Sequence, residues 1–462
     1  MPRLRSRFVC ASCGFATARP LGRCPQCSEW GALIEEAVVA GPGVSPAPAG
    51  GGNEPSPLCE VGGADVPRQP TGLAEFDRVL GGGLVAGSLV LLGGDPGVGK
   101  STLLLQALGG LARGGSVLYV SGEESREQIA MRGRRLGVSA PRLLVLAETR
   151  LERILQHAAA LATTALAVDS VQTVHLQAAA GLPGSLAQVR EAAGRLLAVA
   201  KESGVAVVLV GHVTKDGSRA GPRTLEHLVD VVLHFEGERA SGCRLLRARK
   251  NRFGSTTEVG VFEMRAEGLR EVPNPSALFL AERPAGAPGS AVVAGLEGTR
   301  PLLVEVQALV ASPAGPPRRA AMGIDPYRVA LLLAVLERRA GVRVLDQDVF
   351  VNVAGGFQLD EPASDLALAA AVASAARGVA VEPATVCFGE VGLAGEVRAV
   401  AGPEPRLAEA ARLGFGRCVV PEASRARLRA DPPLEVVGVR DLAGALEVLL
   451  WPPGLAGSRA GP

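Results

Sequence analysis

Lysine is almost missing from this 462-residue chain. Lys100, Lys201, Lys215 and Lys250 are its four lysines among 48 basic residues, and the rest are arginine. Each surviving lysine therefore merits separate attention. Cysteine is sparse as well, and eight in this length make no disulfide scaffold. No uncharged apolar run reaches about 18 residues, so no membrane-spanning helix is predicted. The stretch Met1-Pro2-Arg3-Leu4-Arg5-Ser6-Arg7 is basic but leads into no continuous apolar segment, so no secretory signal is predicted. A cytoplasmic location with reduced thiols is the expectation. An excess of one charge is missing too. The 48 basic residues face 46 acidic ones, for a net charge of +2. That excludes a general polycation or an acidic-tail protein but leaves room for a local basic patch. No repeat of fixed period is visible.

Apolar residues, at 47%, suffice for sizeable cores and exclude general disorder. The length suggests two to four domains. The 59 glycines and 33 prolines imply many tight turns and at least one linker. Residues 40–57 are a linker by composition. From about Val66, short apolar runs at 88–92, 116–120, 142–147, 165–168 and 205–210 alternate with helical patterns at 100–113, 124–136, 150–162 and 185–203. This alternation predicts an α/β fold with a parallel sheet. A Pro/Gly break at 284–290 precedes a predicted α+β unit. Its helices are expected at 326–340, 363–377 and 403–413, and its strands near 303–310, 349–354 and 385–388. The implied organisation is a cysteine knuckle at 1–34, a flexible linker at 35–65, an α/β domain at 66–275, a linker at 276–290, a second domain at 291–452 and a frayed tail at 453–462.

Cys10-x2-Cys13 and Cys24-x2-Cys27 lie ten residues apart. Zn²⁺ takes four thiolates in a tetrahedron at about 2.3 Å, and each pair presents two sulfurs to one point. A segment this short cannot bury a core, so the metal would supply its folding energy. Cys59, Cys243, Cys387 and Cys418 are scattered and read as small core residues.

The apolar run 89–92 leads into Gly93-Gly94-Asp95-Pro96-Gly97-Val98-Gly99-Lys100-Ser101-Thr102. This is a phosphate-binding loop, G-x-x-x-x-G-K-S, in the strand–loop–helix context it requires. Its glycines let backbone N–H groups curl round the phosphates of ATP, with the helix dipole behind them. Lys100 is expected on the β/γ-phosphates and Ser101 on Mg²⁺. Asp169 ends a buried strand and is expected to hold the Mg²⁺ water shell. Glu123 and Glu124 end another strand. Glu123 is preferred for polarising the attacking water, and Glu124 stays the alternative. His212, after 205–210, is suitably placed to sense the γ-phosphate.

Together these features resemble the bacterial RadA/Sms DNA repair ATPases over nearly the whole chain. The likeness rests on the four cysteines, on Gly94–Thr102 and on Arg78-Val79-Leu80-Gly81-Gly82-Gly83. It continues in Gly211-His212-Val213-Thr214-Lys215-Asp216-Gly217 and in Lys250-Asn251-Arg252-Phe253-Gly254, a specific signature of that family. The resemblance implies a core like that of RecA and the DnaB-type helicases. It further implies ATP-driven binding and translocation on single-stranded and branched DNA during recombinational repair, a homohexameric ring, and RecA as partner.

Residues 239–254 carry Arg239, Arg244, Arg247, Arg249, Lys250 and Arg252 and no acid. Lys250 and Arg252 are expected either to contact DNA phosphates or, as in the helicases this core resembles, to reach a neighbouring subunit's γ-phosphate. The second role is preferred. Two segments look like mobile DNA-facing loops, 175–187 and 214–225, the latter with Lys215, Arg219 and Arg223.

Residues 291–450 resemble the proteolytic domain of Lon, so an ATP-dependent protease is the rival reading. Such a site needs a Ser nucleophile and a Lys base. Ala363 stands at the nucleophile position, Ser364 is one residue late, and Glu404 stands where the Lys belongs. The domain therefore reads as a non-proteolytic scaffold, with duplex contact through Arg318, Arg319, Arg338, Arg339 and Arg343 a further expectation. A hub that binds ATP without turnover is disfavoured by the intact Lys100, Asp169 and Glu123.

Overall fold

The computed structural model describes residues 5–10, 16–17, 19, 21–26, 29–31, 33–38, 67–179, 181–212, 225–237, 243–284, 286–429 and 431–450. These fall into two compact units. The first comprises those up to 237 with 244–256 and 262–271, and the second 243, 257–261 and those from 272 onward.

The first unit opens with a small antiparallel sheet of β1 (Arg5–Cys10), β2 (Ala16–Thr17) and β3 (Leu33–Val38), ordered β2-β1-β3. Then follow β4 (Arg68–Gln69), α1 (Ala74–Leu80), β5 (Leu84–Val85), β6 (Leu89–Gly94), α2 (Lys100–Leu111), β7 (Val117–Ser121) and α3 (Arg126–Arg135). After them come β8 (Leu143–Ala147), α4 (Leu151–Ala160), β9 (Ala165–Asp169), α5 (Leu186–Ser203) and β10 (Ala206–His212). The series closes with β11 (Val231–Glu236), β12 (Cys243–Asn251), β13 (Val259–Arg265) and β14 (Gly268–Glu271).

A nine-stranded sheet runs β14-β13-β12-β11-β6-β10-β9-β7-β8. From β11 to β8 every pairing is parallel. Strand β6 shows why: all six of its residues are buried, as expected for a strand covered on both faces. Alternate residues face opposite ways. Leu89 and Leu91 join the core with Ile154 and Leu196 of α4 and α5, and Val90 and Leu92 join Leu103 and Leu108 of α2. Local signals set the helix starts. Ser125 and Gln128 form a reciprocal capping box on α3, and Ser185 caps α5. The predicted parallel core is present. It carries an antiparallel extension that the alternation of runs does not announce: β11 pairs antiparallel with β12, and β13 with β14.

The second unit holds α6 (Pro275–Leu280), β15 (Ser290–Glu297), β16 (Arg300–Ala311), β17 (Arg319–Met322), α7 (Pro326–Ala340), β18 (Asp348–Val353) and α8 (Asp365–Arg377). It continues with β19 (Thr385–Cys387), β20 (Glu390–Val391), β21 (Val397–Arg398), α9 (Pro403–Arg412), β22 (Arg417–Pro421), α10 (Glu422–Arg425), β23 (Glu435–Val439) and α11 (Leu442–Leu449). Its seven-stranded sheet is mixed, ordered β17-β18-β16-β15-β19-β22-β23. The expected linker at 276–290 corrects to structure: it contains most of α6, Phe279 is buried, and Ser276 Oγ donates to Glu409 at 2.7 Å. Among the described residues no helix is long and apolar enough to cross a membrane.

Candidate functional site

Parallel strands end side by side, so the loops that follow them gather at one edge of the sheet. Register makes this concrete. His212 lies opposite Gly94, and Ser121 opposite Asp169. Between β6 and α2 the chain turns through Gly94, Asp95, Pro96, Gly97, Val98 and Gly99. Three of these glycines have positive φ: Gly94 at 150°, Gly97 at 80° and Gly99 at 113°. A Cβ on Gly94 would come within 2.1 Å of the Phe235 carbonyl oxygen, so no other residue fits there. Helix α2 then starts without a side-chain cap. Its first N–H groups are left for an anion, and the residues present fit the phosphates of ATP.

Lys100 is buried, and its Nζ donates to the carbonyls of Gly94 and Asp95 at 2.8 and 2.9 Å. Burial pulls its pKa down, and the carboxylates of Asp169, Asp95 and Glu123 pull it back up. Ser101 and Thr102 follow in the first turn of α2, half-buried. Asp169, also buried, ends β9. Its Oδ2 accepts a hydrogen bond from Tyr119 Oη at 2.7 Å. Burial and that carboxylate drive the Tyr119 pKa far up, so the phenol stays a donor. Next to Asp169, Ser170 Oγ donates to Glu123 Oε1 at 2.7 Å. Glu124 goes the other way, into an ion pair with Arg132 of α3. Glu123 and Pro96 line a cleft of about 910 Å³ together with Gln172, His175 and Ser185. Sequence reasoning missed Tyr119 and Ser170. Tyr119, one of two tyrosines in the chain, was the signal at hand.

Lys250 and Arg252 lie elsewhere. Lys250 pairs with Val232, which pairs with Leu91 of β6. Lys250 Nζ donates to the carbonyls of Glu226 and Val229, ahead of β11 and so toward the edge opposite the phosphate loop. Arg252 sits beside Asp230, whose backbone N donates to the Leu89 carbonyl at the start of β6. From Leu89 to Gly94 is five strand steps, about 17 Å. The uniform basic strip expected over 239–254 is corrected as well. Arg244 is buried and donates to the Val98 carbonyl at 3.2 Å. Arg247 pairs with Glu236. Arg249 and the Arg252 side chain are the solvent-facing cations of β12 and its end.

The first part of the loop 175–187, expected to be mobile, is tied to the start of α5, while Leu182 further along is exposed. Buried Gln188 accepts from Leu176 N at 2.9 Å and donates to the carbonyls of Leu176, Ala179 and Gly181 at 2.8–3.2 Å. Lys215, Arg219 and Arg223 lie outside the described residues, as does the side chain of His212. Cys10 and Cys24 are buried. Cys13, Cys27 and Cys59 lie outside the described residues. Thiolate chemistry suits zinc, and the two visible sulfurs are shielded as a structural site requires.

In the second unit Ala363 is buried in a short 3₁₀ turn, Pro362–Ser364, so α8 begins two residues later than predicted. Ser364 Oγ is buried and donates to the Glu361 carbonyl at 2.8 Å. Glu404 is exposed on α9. Two residues on, Arg406 is buried and donates to both carboxylate oxygens of Glu361 at 2.8 and 2.6 Å. Arg318, one of the arginines expected at duplex DNA, pairs with Asp348 at 2.6 Å and keeps a side chain 70% exposed.

A glycine-lined phosphate cradle at the end of a parallel sheet, with a strand-end carboxylate beside it, defines a P-loop ATPase with a RecA-like core. Known families match along the chain: an AAA domain at 56–218, the rubredoxin metal binding domain at 8–35 and subunit ChlI of Mg-chelatase at 328–424. The chain belongs to the family of the bacterial DNA repair protein RadA. It is 49% identical to the DNA repair protein RadA of Bacillus subtilis over 97% of this chain and 100% of that one. It is likewise 49% identical to that of Pseudomonas aeruginosa, over 97% and 100%. With that of Brucella abortus the identity is 50%, over 92% and 93%.

Proposed function

We propose that this chain is a DNA-stimulated ATPase of recombinational repair, a homohexameric ring in the cytoplasm that moves on single-stranded and branched DNA alongside RecA. The observation that carries the reading is the split of its cations. Lys100 lies with Asp169 and Glu123 at one edge of the sheet, and Lys250 and Arg252 are directed to the other. That separation keeps Arg252 from its own P-loop and supports the preferred reading, a neighbour's γ-phosphate, over contact with DNA phosphates, which the mixing test below tells apart.

ATP phosphates are gripped by the N–H groups of the glycine loop and by Lys100. Ser101 and Asp169 would hold the Mg²⁺ that accompanies ATP, and that ion would supply charge neutralisation at the phosphates. Tyr119 holds the Asp169 carboxylate in orientation. Glu123, kept beside Asp169 by Ser170, takes a proton from the attacking water, while Arg132 keeps Glu124 away. His212 senses the γ-phosphate. Lys215, Arg219 and Arg223 contact the DNA backbone. The knuckle at 1–34 holds zinc through Cys10, Cys13, Cys24 and Cys27, the ATPase domain spans 66–275, and 291–452 is an assembly scaffold without peptidase activity.

The test is a mixing experiment. Lys100→Ala subunits combined with Arg252→Ala subunits bring intact P-loops beside intact fingers. Recovery of DNA-stimulated hydrolysis that neither variant shows alone is expected, since a trans finger contributes about 10³–10⁵-fold in related chemistry. No recovery at any mixing ratio defeats the cross-subunit reading.

A further inference from the structure

Lys250 and Arg252 are neighbours in sequence but not in circumstance. Lys250 Nζ is 2.8 Å from each of two backbone carbonyls, Glu226 and Val229, at the turn 225–228 and just beyond it. Burial lowers its pKa, and Arg252 adds to the shift while Asp230 and Glu226 oppose it. An ammonium has three N–H bonds, and two are spent here. The Arg252 guanidinium is held loosely. It reaches Asp230 Oδ1 at 3.4 Å, and its side chain is 57% exposed. Asp230 itself is fixed. It is 2% exposed, and its Oδ2 accepts from Leu89 N at 3.0 Å and from Lys201 Nζ at 2.8 Å. Leu89 opens the strand that leads to the phosphate loop.

We propose that the two cations have separate roles. Lys250 is a positioning residue that caps the turn 225–228 and so fixes Asp230, and Arg252 alone reaches a phosphate. The role of Arg252 rests on the function proposed above, and the role of Lys250 does not. Moving Lys250 onto a phosphate would strip two carbonyls at the approach to β11. Moving Arg252 breaks one long contact to a carboxylate that keeps its other partners. A strand end can therefore offer Arg252 outward while Lys250 stays put.

With four lysines in the chain, acetylation followed by mass spectrometry reads each one separately. In the full-length protein Lys250 is expected to react several-fold more slowly than the half-exposed Lys201. Adding a single-stranded oligonucleotide or Mg-ATP should leave its rate unchanged. Lys250→Met should speed amide hydrogen exchange over 225–232 and leave the salt slope of oligonucleotide binding unaltered. The proposal is overturned if Lys250 reacts as fast as Lys201 and gains protection only with DNA or nucleotide. It is equally overturned if Lys250→Met flattens the salt slope by about one released ion. If Arg252→Ala hydrolyses ATP normally, the cross-subunit finger falls. The Lys250 cap is still judged by footprint and exchange alone.

Discussion

Replacing Glu361 with Ala strikes the ion pair that fills the second unit near the positions a Lon-type dyad would need. Arg406 has a side chain 2% exposed. It makes a bidentate contact to Glu361, donates to the Ala294 carbonyl at 2.6 Å and the Ala401 carbonyl at 3.1 Å, and lies over the Phe388 ring. Glu361 Oε1 also accepts from Leu296 N. Removing the carboxylate strands a buried guanidinium, which costs about 3–5 kcal/mol. In a unit of this size each kcal/mol moves the melting midpoint by about 2–4 °C, so the second unit should melt about 6–20 °C lower. The double variant Glu361→Leu/Arg406→Met removes both charges together. Its remaining loss is that of uncapped backbone groups, about 1–3 kcal/mol for each that stays dry. The pair should therefore show strong coupling, with the double variant far less damaged than the two single losses added. Scanning calorimetry of the full chain measures this, with Mg-ATP present to move the ATPase transition away from the other. A Glu361→Ala shift under about 2 °C, or simple additivity, refutes the argument.

Glu123→Gln should retain ATP binding and lose about 10²–10⁴-fold in turnover, while Glu124→Gln keeps most of it. The reverse pattern transfers the water-activating role to Glu124. Metal analysis of reduced, purified protein should find one zinc per chain, lost in Cys24→Ser, and a zinc-free sample with intact fold refutes the four-thiolate site. Incubation with an unfolded protein and ATP should yield no cleavage, and cleavage abolished by Ser364→Ala would overturn the scaffold reading.

Short-range chemistry is legible in the order of residues alone. Glycines in the loop, a Lys after them and an apolar run before them specify a phosphate loop in its strand–loop–helix context, because the loop's own backbone makes the cradle. Paired cysteines specify a metal in the same local way. Alternating apolar runs and amphipathic stretches specify the parallel core, since the burial of its central strands on both faces is written in their own residues, while the edge strand β8 is equally apolar but only half-buried. Choices between similar groups fall to tertiary structure. Glu123 is preferred over Glu124 in sequence only by a narrow argument, and the approach of Ser170 to the one and of Arg132 to the other gives the two carboxylates different surroundings. Tyr119 gains its role from β9 lying alongside β7, a pairing 50 residues distant in sequence. The basic run 239–254 looks uniform because charge is a property of residues. Access is a property of neighbours, and folding turns Arg244 inward to Val98, gives Arg247 a carboxylate and sets Lys250 on two carbonyls. Strand register decides the rest: it directs Lys250 and Arg252 to the sheet edge opposite their own phosphate loop, a separation that no local pattern can state because it is measured across strands.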